Sequence, residues 1–586
     1  VKKALCKYLF NSVFLFVGVF FLVSCLNELQ AQHSFSEVYN RYLNGELTAI
    51  ETVELQIEAL SHSHSHDDGN FIKCLTPFFI LLNQEKENID GAILQKFNAL
   101  SPTRSSTTTE YISPSGKFRI HYETVGSDRV PFDDFNDNFI PDYVEEVAEA
   151  ADSSYRHQVI TLGFPDPIGE GEIYDVFIKD LFSRKSYGFV SFLRTGSWPC
   201  NNSGPETCIY IENDFAGYPA NADPEGSAIG ALKVTMAHEF KHAIQYVQNG
   251  WSGETRSWME MDATLMEEVV YDNVNDYYNY IEGFSTDLFQ KASSSLIPGR
   301  YEDVTWALYF HEKFGSTFWL DVWDFIETDN SILFLTAVEQ ALQNRDESYP
   351  KNVLESYMWH FASGDQFSAT NFGFEEHLDY PGPGLSAIYL EPLSALTSEF
   401  SLDRMSARYY SVEPIDLLEG YLSLNFINSS KDVQFGLIGY QKNGEVLTNK
   451  IVEQGVDQLT SINTDWQWSE LDKVGLVAVN SSSTDENSFR FQVFERTVSS
   501  TEPNIKLLNT TATVNSSFRL YLPTTQNITL DIYDVLGRHI QTIHNGPVNS
   551  GFREFNFNTS NLASGIYLYR LISESGVQAF TFPVIK

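Results

Sequence analysis

His238-Glu239-Phe240-Lys241-His242 sets two imidazoles four residues apart, with a carboxylate directly after the first. On a helix, residues i and i+4 project from one face, so both rings can converge on a single metal ion. Apolar spacing predicts an amphipathic helix over 229–247 to carry them. Zinc suits such ligands and needs a third protein ligand together with an open position for water. Glu239 then stands where a carboxylate can take a proton from that water and pass it to a leaving amine. The plainer reading of the pentapeptide is a surface helix with two unrelated histidines.

A third ligand has to come from another element. Ser257 to Glu268 reads as a second helix rich in carboxylates, with Glu260, Asp262, Glu267 and Glu268 all available. Here the chain resembles the gluzincin metallopeptidases, whose third zinc ligand is the first glutamate of a W-x-x-E-G-x-A-x-x-x-E helix. Glu260 and Ala263 match that pattern, Trp258 lies close by, Glu267 follows, and Met261 stands where the family has glycine. The resemblance makes Glu260 the third ligand, and leaves Asp262, Glu267 and Glu268 as outer supports or a solvated face. Arg300 to Gly315 looks like the tyrosine-led helix of the same enzymes. That likeness implies that Tyr301 donates a hydrogen bond to the oxyanion of the tetrahedral intermediate; the alternative is a core tyrosine. From Lys117 to Gly364 the chain is similar to a family of predicted secreted bacterial metalloproteases. Its further landmarks are Phe118 to Tyr122, a D-x-N-x-x-P-D-Y loop that this chain matches loosely as Asp134-Phe-Asn-Asp-Asn-Phe-Ile-Pro-Asp-Tyr143, and Trp359 to Gly364.

That loop, Asp134 to Glu145, also resembles a calcium site. Asp134, Asn136, Asn138, Asp142 and Glu145 fall at positions 1, 3, 5, 9 and 12 of the EF-hand pattern. Phe139 occupies the position of its glycine, so a single calcium-stabilised loop is expected rather than a paired EF-hand; the alternative is an acidic capped turn.

The elements that must hold these residues are set out along 586 positions, enough for three or four domains. Lys2, Lys3 and Lys7 followed by an apolar run from Tyr8 to Val23 read as a signal peptide over 1–31. Gln30-Ala31-Gln32 resembles an ordinary signal-peptidase site, while Leu22 to Cys25 is an alternative lipobox in which Cys25 carries lipid. Residues 32–110 are polar and helix-prone, a propeptide or an attached N-terminal domain, and include a Ser-His run (61–66) best read as a solvated loop. Residues 111–394, with strand-like runs (Lys117 to Glu123, Tyr174 to Lys179, Cys208 to Glu212) before helices, are expected to form an α+β domain; the resemblance implies the gluzincin plan, a small sheet beside the HExxH helix. Short alternating runs over 395–500 predict an antiparallel β-sandwich that carries no cluster of ligands.

The last domain, 501–586, is a small immunoglobulin-like β module. Ile532 to Arg538 and Asn561 to Arg570 resemble the C-terminal sorting domain of type IX secretion, which implies that machinery as a partner and a secreted or surface destination. Cysteine use agrees with export: beyond the leader only Cys74, Cys200 and Cys208 remain, and the last two can close a polar loop as a disulfide. A net charge of −40 and a pI near 4.6 argue against nucleic acid, whose phosphates would be repelled. After the leader no stretch is apolar enough to span a bilayer. The expected function is a secreted zinc metallopeptidase acting on a protein or peptide; the alternative is an inactive peptidase fold serving as a surface binding or adhesion protein.

Overall fold

A strand covered on both faces reads as apolar at nearly every position, and three such strands make the centre of this protein. The structure is a computed structural model that describes residues 35–62, 71–99, 108–182, 185–194, 198–201, 204–281, 287–414, 418, 420–452, 455–496, 503–507 and 515–584. The leader with Cys25, most of the Ser-His run, and Ser105 to Thr107 lie outside the described residues. The chain divides into two compact units. One comprises 1–417, 424–462 and 470–494; the other comprises 418–423, 463–469 and 495–586.

The first unit begins with helices α1 (Phe35–Leu43), α2 (Ala49–His62), α3 (Thr76–Glu85) and α4 (Gly91–Ala99), with the short strand β1 (Ile72–Cys74) between α2 and α3. There follow β2 (Thr109–Ile112), β3 (Phe118–Tyr122), α5 (Asp142–Tyr155), β4 (Tyr174–Lys179), β5 (Ser186–Ser191), β6 (Cys208–Glu212), α6 (Ser227–Asn249) and α7 (Met259–Tyr271). The six strands form one sheet in the order β1-β5-β6-β4-β3-β2. It is mixed: β1 runs parallel to β5, β6 to β4 and β4 to β3, whereas β5/β6 and β2/β3 are antiparallel.

Every position of β4, β5 and β6 is buried. Val176, Ile178, Val190, Ile209 and Ile211 share a core with Val144 and Val147 of α5 and with Leu232, Met236 and Phe240 of α6. Phe177, Phe189 and Tyr210 share a different core with Phe78 and Phe79 of α3 and Phe97 of α4. Phe79 stacks on Phe189 with ring centroids 4.4 Å apart. The N-terminal helices thus cover a sheet face that would otherwise be apolar and exposed. Cys200 and Cys208 are joined as a disulfide at the mouth of β6.

Helices at 304–314, 317–328, 334–343 and 349–361 continue the core behind α7. Its side chains run on without a break into a five-stranded sheet built from 385–389, 406–412, 433–441, 446–451 and 471–480. Met358 and Phe361 share the core with Tyr409, Ile438, Tyr440, Val477 and Val479, so packing is continuous across residues 394 and 395. The sheet is antiparallel apart from 385–389, which runs parallel to 406–412.

In the second unit, 504–507, 515–522 and 551–558 form a three-stranded sheet, and 526–534, 539–548, 565–573 and 576–584 a four-stranded one. Phe518, Leu530, Ile532, Phe557, Leu571 and Phe582 form their common core. The Asp534 to Arg538 turn explains its sequence signature. Asp534 Oδ1 accepts the amides of Leu536 and Arg538 at 3.0 and 2.9 Å, Arg538 Nε returns a 2.6 Å bond to Oδ2, and Gly537 takes φ +76°.

Candidate metal centre

Helix α6 is apolar on most of its circumference, with Ala231, Leu232, Met236, Phe240, Ala243 and Ile244 all buried, so it lies within the core rather than on it. The HExxH residues are consequently buried too: His238, Glu239, Lys241 and His242 are each no more than 1 % exposed. Gly250 ends the helix in the left-handed conformation, its amide bonded to Tyr246 O at 2.7 Å. After a tight turn over Glu254–Trp258 the chain returns as α7, packed along α6, and this return brings Glu260 opposite the histidines.

His242 Nε2 lies 3.0 Å from Glu260 Oε1, His238 Nε2 lies 3.5 Å from Glu260 Oε2, and the two Nε2 atoms are 3.1 Å apart. Ligands 2.0–2.1 Å from a tetrahedral zinc ion stand about 3.3 Å from one another, so the three atoms fit corners of such a site. The outer nitrogens set the tautomers. His238 Nδ1 is 2.8 Å from Glu267 Oε1, an acceptor, and therefore carries the hydrogen. His242 Nδ1 is 2.8 Å from Gln245 Oε1, and Gln245 is oriented by giving its amide hydrogens to Met259 O and Asp262 Oδ2 at 3.1 and 2.8 Å. With Nδ1 of each ring turned outward, both Nε2 atoms face each other and a carboxylate. Glu260 Oε1, though 3.0 Å from His242 Nε2, makes no hydrogen bond of proper geometry. Two imidazole nitrogens and a carboxylate that converge in this way are a donor set that a zinc ion would fit.

The local field has the same sense. Burial works against a charged His238, yet Glu260 and Glu267 outweigh it and push the ring up to about 10. Burial would raise Glu260, but His242 and His238 hold its carboxyl down to about 2. Burial raises Glu239 in spite of both histidines.

Strand β5 passes directly beside Glu239. A Cβ on Gly188 would meet Thr235 Cγ2 at 2.8 Å and Glu239 Cγ at 3.3 Å, so only glycine lets the strand approach α6 this closely. Glu239 Oε2 accepts from Thr76 Oγ1 at 3.1 Å and lies 3.5 Å from Cys74 Sγ, while its Oε1 is buried without a partner. Cys74 Sγ, both histidines and Glu260 offer ligand atoms that all lie within 4.8 Å of one another.

The carboxylates of α7 separate by role. Glu260 joins the histidines; Glu267 supports His238; Asp262 orients Gln245 and lies 3.3 Å from the buried Lys241 Nζ. Glu268 belongs elsewhere, pushed up to about 10 by burial and by Glu376 and Asp272. Tyr301 sits beside the centre, its ring 5.8 Å from that of His238, but its hydroxyl donates to Glu267 at 3.0 and 3.1 Å. Burial, with Glu267 next to it, pushes Tyr301 far above the usual phenol range.

In the loop before α5, Asn136 and Asn138 donate to Glu145 at 2.7 and 2.8 Å. Asp134 caps the amides of Asn138 and Phe139 at 3.1 and 2.9 Å, and Asp142 accepts that of Phe135 at 3.1 Å. Asp134, Asn136, Asn138, Asp142 and Glu145 are therefore gathered by their own hydrogen bonds where an exposed loop meets the first turn of α5.

Sequence reasoning did not find Lys73, Thr76, Gln245 or Asp276 at this centre, and set Cys74 aside. Gln245 had a signal, three residues after His242 on the same helix face. Cys74 had one as well, an odd cysteine in an exported chain.

Comparison with known proteins identifies one segment. Residues 510–585 match the family described as the secretion system C-terminal sorting domain. No curated protein matches the chain. Among solved structures, the β-glucuronidase of Faecalibacterium prausnitzii aligns at 9 % identity and TM-score 0.13, over 30 % of this chain and 36 % of that one. The Ruminococcus gnavus β-glucuronidase aligns at 8 % identity and TM-score 0.12, over 32 % and 36 %. The chain spans about a third of the length of these proteins, and TM-scores this low carry no argument about fold or activity. The sorting domain marks the protein for export by type IX secretion to the surface or the medium. Among the described residues no helix is long and apolar enough to cross a membrane.

Proposed function

We propose that the protein is an exported zinc-dependent peptidase of the gluzincin kind. The observation that carries this reading is the buried convergence of His238 Nε2, His242 Nε2 and Glu260, with Glu239 beside them and both histidines oriented from behind. A zinc ion held there supplies Lewis-acid polarisation of a carbonyl and lowers the pKa of water at its open position. Glu239 acts as the proton carrier, lying buried beside the ligands, where burial raises its carboxyl above the ordinary range. Glu267 and Gln245 keep the histidines in the tautomer that binds metal. Tyr301, one hydroxyl rotation away from Glu267, is the candidate oxyanion donor. Strand β5, flat against α6 at Gly188, is flanked by β1 and β6, and with β1 displaced its freed edge would hold an extended peptide by main-chain hydrogen bonds.

The test is metal analysis of the purified protein with a peptide-library assay, on the intact chain and after limited proteolysis. One zinc per chain is expected, lost in His242→Ala, since removing one of three protein ligands costs several kcal/mol of a site worth on the order of 10 kcal/mol. Metal-free protein from a zinc-replete preparation refutes the proposal.

A further inference from the structure

The fourth corner of the centre is not open. Strand β1 reaches it from the N-terminal region, running parallel to β5 with Ile72 opposite Ser186 and Cys74 opposite Gly188. The Ile72 amide donates to Lys185 O at 2.7 Å and the Leu75 amide to Gly188 O at 3.2 Å. This places Cys74, a buried cysteine outside the disulfide, with its sulfur among the atoms of His238, His242 and Glu260. Its neighbours on the chain are fastened as firmly. Lys73 Nζ pairs with Asp276 and lies 3.1 Å from Glu267 Oε2, where the two carboxylates are no more than 1 % exposed, and it sits 4.3 Å above the Tyr187 ring. Thr76 Oγ1 binds Glu239 and accepts the Val190 amide at 2.8 Å.

We propose that Cys74 is the fourth zinc ligand of the intact chain, and that residues 72–76 are a built-in plug that holds the peptidase latent. The inference rests on the zinc reading above. Each part of the plug meets a different requirement of the reaction. The Cys74 sulfur takes the corner where water must sit. Thr76 holds one carboxylate oxygen of Glu239, the residue that would accept the proton. The main chain of β1 fills the edge of β5 on which a substrate strand would lie. Lys73 anchors the plug through a buried ion pair, and such a pair resists breaking because withdrawing the lysine leaves two carboxylates buried without a counter-charge. The ligand class is a thiolate, bound with loss of its proton as metal-ligating cysteines are. Activation therefore requires residues 72–76 to leave the cleft, and that vacates all three positions together.

X-ray absorption at the zinc edge of the intact protein decides the ligand. A zinc–sulfur path at about 2.3 Å is expected, beside nitrogen and oxygen ligands near 2.0–2.1 Å. In Cys74→Ser, a near-isosteric change, zinc should be retained and the sulfur path lost. Hydrolysis by the zinc-loaded Lys73→Ala/Cys74→Ser chain, which loses the anchor and the ligand together and so lets residues 72–76 leave the cleft, should exceed wild type at least tenfold. Zinc bound by nitrogen and oxygen alone in the wild type overturns the plug and leaves the peptidase reading standing; absence of zinc overturns both. A sulfur path that survives in Cys74→Ser overturns the assignment to Cys74, and equal hydrolysis by the zinc-loaded wild type and Lys73→Ala/Cys74→Ser overturns latency. Should these variants not fold, the wild-type spectrum still decides the ligand, and Lys73→Ala alone, which releases the anchor, serves in the hydrolysis comparison.

Discussion

Replacing Glu267 with glutamine keeps the size of a side chain that is almost wholly buried but removes its charge. As a carboxylate it accepts from His238 Nδ1 at 2.8 Å and from Tyr301 at 3.0 Å, and it faces Lys73 Nζ at 3.1 Å. An amide offers one accepting oxygen, and its nitrogen can only donate, so it cannot serve all three donors. The imidazole of His238 becomes a weaker base as its partner loses charge. Outer partners of metal-bound histidines are worth about 10–100-fold in metal affinity, or about 1.4–2.7 kcal/mol at 1.4 kcal/mol per tenfold. Glu267→Gln should therefore bind zinc 10–100-fold more weakly in a chelator competition. Glu268→Gln, one residue along, should bind as wild type, because Glu268 faces Glu376 and Asp272 instead. Measuring both in a Cys74→Ser background keeps any loosening of Lys73 out of the comparison. Undiminished zinc affinity in a folded Glu267→Gln protein would refute the role given to Glu267.

Glu239→Gln should retain zinc and lose turnover by about 10²–10⁴-fold, read on protein trimmed by limited proteolysis; unchanged turnover would move the proton transfer elsewhere. Calcium at tenfold its dissociation constant, about 10⁻⁴–10⁻³ M for an extracellular loop, should stabilise the wild type by about 1.4 kcal/mol and leave Asp134→Ala unmoved in thermal unfolding at fixed zinc. Glu268, raised from the ordinary carboxylate range to about 10, keeps in the folded state a proton that the unfolded chain releases. Its contribution is thus complete below pH of about 4 and is lost as pH rises towards 10, on a scale of about 1.4 kcal/mol per unit. Melting between pH 5 and 9 should accordingly fall more steeply in wild type than in Glu268→Gln. Deleting residues 501–586 should retain the protein in the cell, which fractionation of a native host would show.

The helices carrying the chemistry were legible because their signals are local. The 3.6-residue rhythm predicted 229–247 and the structure has 227–249; the region expected to be helical from 257 opens as a tight turn and becomes α-helix at 259. Strands 174–179 and 208–212 were legible for the same reason, being short β-branched and aromatic runs between turn residues. The sorting signature was legible because Asp534, Gly537 and Arg538 satisfy one another within five residues.

Strands β1 and β5 were not legible. Three residues, or a Ser-Tyr-Gly-Phe-Val-Ser run broken by glycine, become strands only through the partner they pair with. Composition also could not tell Glu260 from Glu267, since both are glutamates two turns apart on one helix. The crossing of α6 and α7 decides that one faces the Nε2 atoms and the other reaches Nδ1 of His238. The same limit hid Cys74, which is 164 residues from His238 in the chain and joins it only because β1 pairs with β5 across the face of α6. The sequence by itself determined the pair of histidines four residues apart, the helix that bears it and the address at the far end. The family resemblance pointed to Glu260, but only the tertiary structure decided that Glu260 faces the two Nε2 atoms, that Glu267 reaches Nδ1 of His238 and that Cys74 stands beside them, because those contacts join elements far apart in the chain.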